Sequence, residues 1–159
     1  MKIQLRKNVF ETNSSSIHSI CISKNDVYTL PELCKFRLKE YGWGPDYENN
    51  VGDYLYTALA CLNRTDEINK LKEILERHNV KVEFEPYSSD DDFYIDHPDL
   101  GELIEYLFKD ENENILLSFL FGSGSMVLIY NDNGEYPRMN ELRKKFKEDN
   151  SNIVFDKWN

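Results

Sequence analysis

The chain has 159 residues, 13% of them aromatic, and a formal net charge of −10. That length builds one well-buried core and is too short for two ordinary domains, and ten Tyr with nine Phe exclude a disordered chain. No apolar run approaches the roughly 20 residues that span a bilayer.

The opening Met1-Lys2-Ile3-Gln4-Leu5-Arg6-Lys7 lacks the apolar stretch of a signal peptide. Three widely spaced cysteines, Cys21, Cys34 and Cys61, form no C-x-x-C pair and suggest neither a disulfide framework nor a zinc site. The expectation is one globular domain, 1–159, in the cytoplasm, with no cofactor, no metal and no membrane partner. The charge is unevenly spread: residues 1–41 carry seven Lys/Arg against four Asp/Glu, whereas 82–113 carry twelve Asp/Glu and only Lys109. Such a molecule repels the phosphates of free duplex DNA through its bulk surface, and its acidic middle suits a basic protein partner. The plainer reading of the acidic run is a solvated face that maintains solubility.

Ile3 and Leu5 alternate with Lys2, Gln4 and Arg6, predicting a half-buried strand over 2–6. Ile17–Ser23 predicts a second strand, paired with the first across an irregular polar loop. Thr29-Leu30-Pro31-Glu32 has the residues of a helix start, and the helix should run to about Tyr41, where Gly42-Trp43-Gly44-Pro45 stops it. Tyr54–Leu62 reads as a helix packed on several sides. Thr65 reads as the cap of a helix whose buried stripe is Ile68, Leu71, Ile74 and Leu75. Val80, Val82 and Phe84 alternate with charges and predict a strand. Pro98 opens a helix carrying Leu100, Leu103, Ile104 and Leu107. Ile115–Phe121 fits helix or strand. Met126–Tyr130 predicts a buried strand with a turn at Asp132-Asn133-Gly134, followed by a basic helix over 139–148 and a last strand near Ile153–Phe155. The fold class is α+β: a small mixed or antiparallel sheet covered by five or six helices.

The most unusual segment is Glu11-Thr12-Asn13-Ser14-Ser15-Ser16, whose hydroxyls, amide and backbone N–H groups can wrap an anion or simply cap their own backbone. His18 shares a strand face with Ile20 and Ile22. An imidazole there suits general acid-base work, or equally a hydrogen-bonded core-edge position. Arg6 offers a fixed charge for phosphate. Candidate catalytic residues are therefore His18 and Arg6, and candidate binding residues Asn13, Ser14, Ser15 and Ser16. His78 and His97 sit at helix ends and receive no role. Asp90, Asp91, Asp92 and Asp96 lack the ligand spacing of a calcium loop. Gly122-Ser123-Gly124-Ser125 lacks P-loop spacing and reads as a tight connection.

Arg6 through Ile20 resembles a signature of small phage and prophage proteins of Gram-positive bacteria, Arg-x-x-Val-Phe-Glu-Thr-Asn-Ser-Ser-Ser-x-His-Ser. Phe119-Leu120-Phe121 and Tyr130-Asn131-Asp132-Asn133 look like a second, weaker shared element. The resemblance implies a mobile-element origin and, by analogy with small acidic phage proteins, an anti-CRISPR role. The expected function is disabling a host nucleic-acid-guided nuclease such as Cas9, by binding it or by acting on its guide RNA. The partners would be a host defence protein or ribonucleoprotein, or RNA. The alternatives are a stand-alone phosphate-handling enzyme, a ribonuclease or nucleotide-processing one, built on the Ser-rich loop and His18, and a structural or regulatory phage protein. Whether the chain turns over a substrate is left open.

Overall fold

Every side chain from Val51 to Ala60 is buried, so the first helix, α1 (Val51–Cys61), lies inside the molecule and must be covered on all sides. The computed structural model describes residues 17–24, 28–41, 46–88, 90–95, 100–131, 141, 144 and 151–157. Among them four α-helices and eight strands give an α+β fold. The strands are β1 (Ile17–Lys24), β2 (Leu33–Phe36), β3 (Glu40–Tyr41), β4 (Asp46–Glu48), β5 (Lys81–Phe84), β6 (Tyr94–Ile95), β7 (Met126–Asn131) and β8 (Ser151–Lys157). The remaining helices are α2 (Thr65–Arg77), α3 (Gly101–Leu107) and α4 (Glu113–Phe121), with a 3-10 turn at Asp110–Asn112 before α4.

The strands form a four-stranded sheet in the order β4-β7-β1-β8 and two two-stranded sheets, β2-β5 and β3-β6. The large sheet is antiparallel throughout and the small ones are parallel. The core clusters Tyr54, Leu55 and Leu59 of α1 with Leu71 and Leu75 of α2, Leu103 and Ile104 of α3, Leu116 and Phe119 of α4, and Val127 of β7.

Both helices α1 and α2 end the same way. Asn63 and Asn79 take left-handed backbone, with φ 54° and 64°. After α1, the Arg64 N–H reaches the Leu59 carbonyl at 2.9 Å and the Asn63 N–H the Ala60 carbonyl at 3.2 Å. After α2, Val80 reaches Leu75 at 2.9 Å and Asn79 reaches Glu76 at 3.0 Å. This double closure satisfies carbonyls that a helix end otherwise leaves orphaned, and asparagine tolerates the conformation it needs. It also corrects the expected cap at Thr65. Arg64, fixed by the closure of α1, is itself the cap residue of α2, and no side chain caps that helix. The stripe on α2 is as read, with Leu71, Ile74 and Leu75 buried and Ile68 packed against the core.

The expected helix over 29–41 does not form; β2 and β3 lie there instead. Leu30, Cys34, Leu38 and Tyr41 share a helical face, which misleads the periodicity. Phe36 decides the matter, because a helix would put it on the opposite side. The strand turns Phe36 inward, 1% exposed, while Leu33, Lys35 and Arg37 face solvent. Its ring stacks on Phe84 at 5.1 Å and meets Tyr56 edge-on at 6.2 Å. Gly52 makes room for it, since a Cβ there would lie 3.0 Å from the Phe36 ring. Without that helix, and with only Glu141 and Lys144 described in the expected helix over 139–148, the expected count of five or six gives way to four among the described residues.

β1 lies inside the large sheet. Its neighbours are β7 on one side and β8 on the other, and both edges are filled over Ser19–Ile22. The expected strand over 2–6 and the turn at 132–134 lie outside the described residues. Replacing Phe36 with Ala should cost about 3–5 kcal/mol, the usual range for deleting a buried Phe, and lower Tm by roughly 6–20 °C. A loss below about 1 kcal/mol would place this ring outside the core. Thermal unfolding followed by circular dichroism measures it.

Candidate functional site

Of the residues singled out for chemistry, Arg6 and Asn13, Ser14, Ser15 and Ser16 lie outside the described residues. His18 is the second residue of β1, opposite Tyr130 of β7. β1 keeps its register with β7 throughout, and the extra residue at the irregularity with β8 is Val154, between Ile153 opposite Ile22 and Phe155 opposite Cys21. In that register His18, Ile20 and Ile22 stand opposite Tyr130, Leu128 and Met126, and Cys21 stands opposite the buried Val127.

Sequence reading missed a buried charge cluster around α1. Asp53, 1% exposed, accepts the Arg37 N–H on Oδ1 at 2.7 Å, and its Oδ2 lies 3.1 Å from Lys39 Nζ. The same Nζ is 3.0 Å from Glu48 Oε2, which also accepts the Tyr41 hydroxyl at 2.8 Å. The Lys39 N–H donates to Thr57 Oγ1 at 3.2 Å, and that hydroxyl donates to the Asp53 carbonyl at 2.7 Å. A signal was available. Asn50-Val51-Gly52-Asp53 has the spacing of a helix cap, and the Asn50 side chain does accept the Asp53 N–H at 3.3 Å. Burial, then the Glu48 carboxylate, pushes the Tyr41 phenol well above its ordinary value. Desolvation lowers the Lys39 ammonium, but hydrogen bonds to Glu48 and Asp53 outweigh it and leave it raised. With each donor matched to an acceptor, the cluster reads as a structural joint.

A second charged group joins α2 to the start of α4. Glu113 Oε1 lies 2.7 Å from the Arg77 guanidinium and 2.8 Å from His78 Nε2. His78, chiefly, and Arg77 hold the Glu113 carboxyl below its usual range. Lys70 Nζ donates to the Phe108 carbonyl at 2.6 Å and to Asp110 at 2.8 Å. His78 closes α2, as its position implied; His97 lies outside the described residues. Burial, then Asp53, raises the Cys34 thiol to about 11, and burial raises Cys61 to about 12, which disfavours the reactive thiolate at both. Gly122–Ser125 is a tight link into β7, with the Ser125 N–H on the Gly122 carbonyl at 3.1 Å and its hydroxyl on the Ser118 carbonyl at 3.0 Å.

The acidic middle faces outward. Glu83, Glu85, Asp90, Asp91, Asp92, Glu102, Glu105, Asp110 and Glu111 are all exposed. Tyr87 stands among the first of them, 41% exposed, its ring fixed edge-on against Phe93 at 5.1 Å and Tyr56 at 6.4 Å. Among the described residues, no group of three or more His, Cys, Asp or Glu is placed to hold a metal ion, and no helix is long and apolar enough to cross a membrane. Comparison with protein-family models, curated proteins and solved structures finds no match.

The cluster predicts the alkaline limit of stability. A group whose folded pKa is raised contributes fully below its unfolded value and loses that contribution as pH rises past it. Tyr41 and Lys39 are both raised from ordinary values near 10, so Tm should hold to about pH 9 and fall above about pH 10. Tyr41→Phe should lower Tm at pH 7, through the lost bond to Glu48, and flatten the alkaline fall. Parallel profiles for both proteins would show that Tyr41 does not contribute.

Proposed function

We propose that this chain is a counter-defence protein of the anti-CRISPR type. It disables a nucleic-acid-guided nuclease of the bacterial host, such as Cas9, by occupying the basic surface on which that enzyme holds nucleic acid. The observation that carries the reading is the outward orientation of nine carboxylates between Glu83 and Glu111, with Lys109 as the one Lys or Arg in residues 82–113. A basic groove attracts such a surface over a distance, which speeds encounter, while the phosphates of free duplex DNA are repelled. Tyr87 suits the role of anchor: its ring is exposed, already fixed by two aromatic neighbours, and can stack on an arginine.

Stoichiometry tests it. Cas9 loaded with guide RNA is titrated with the protein, duplex cleavage is followed, and the guide is run on a denaturing gel. Inhibition should be complete near one copy per nuclease, with the guide intact, and should weaken as salt rises. Neutralising Glu83, Glu85, Asp90, Asp91 and Asp92 to their amides should raise the concentration needed by about tenfold or more, equivalent to about 1.4 kcal/mol. Unchanged potency in that variant, or no inhibition by the parent protein, contradicts the proposal.

The second reading makes the protein an enzyme on guide RNA or another phosphate compound, with His18 moving the proton and Arg6 and the Asn13–Ser16 loop holding phosphate charge. Its support is the resemblance centred on these residues and the place of His18 at the start of β1. Shortened guide at substoichiometric protein would favour it. His18→Ala should then cost about 10²–10⁴-fold in rate with Tm unchanged. A purely structural histidine would lower Tm instead, with activity falling only in proportion to folded protein. Full activity in both His18→Ala and Ser15→Ala removes the loop as a working site.

A further inference from the structure

We draw no further inference here: the strongest candidate, the groove of about 620 Å³ between α2 and the segment from Lys109 to Glu113, has two of its cations, Lys70 and Arg77, already paired with Asp110 and Glu113 across it, and what it adds, the exposed Lys109 and the carboxylates of Asp66 and Glu73, comes with nothing else in the structure to show what it would hold.

Discussion

Asp53 holds a carboxylate where almost no water reaches, and two stretches of chain are arranged to answer it. Burying such a group unpaired would cost several kcal/mol. The answer comes from the β2–β3 link, through the Arg37 N–H and Lys39, and, through that ammonium, from Glu48 of β4. Between β2 and β3 the chain has left one ladder and not yet entered the next. Its three successive N–H groups there, on Arg37, Leu38 and Lys39, go to the side chains of Asp53, Glu85 and Thr57. Side chains thus replace a missing strand partner, and two small parallel sheets are fastened to α1. Through Glu48 the four-stranded sheet is fastened to the same helix.

This joint explains which parts of the fold were legible. Helices with one clear stripe, such as α2, carry their burial in their own spacing, and so do the alternation in β5 and the apolar run of β7. Residues 29–41 do not, because their apolar positions fit two periods. The choice between them lies in the Phe84 and Tyr56 rings and in the space left by Gly52, all distant in sequence. Position alone likewise left Ile115–Phe121 undecided, and core packing as α4, with Leu116, Leu117 and Phe119 buried, settled it. The charge cluster was half legible: Asn50 and Asp53 form a recognisable cap, but nothing local says that Lys39 and Glu48 will meet beside it. Of the candidate site, the strand position of His18 followed from alternation.

Charge is divided by function across the molecule. Buried or half-buried carboxylates, on Asp53, Glu48 and Glu113, are consumed by internal partners. Those from Glu83 to Glu111 are exposed, though several also serve the fold: Glu85 accepts the Leu38 N–H, Asp91 the Ser88 N–H, and Asp110 pairs with Lys70. An exposed excess of one sign keeps a chain in solution at the cost of self-repulsion, which a partner of the proposed kind would relieve.

Hydrogen exchange of the Arg37 amide tests the joint most directly. Arg37 lies beyond the last residue of β2, where a strand end ordinarily opens locally and exchanges early. Held by the buried Asp53 carboxylate, it should exchange only as slowly as the α1 amides of Leu55 and Leu59, while the neighbouring Leu38 amide, held by the exposed Glu85, exchanges sooner. Asp53→Asn should release Arg37 ahead of α1. Rapid exchange at Arg37 in the unaltered protein, with α1 still protected, would contradict the account.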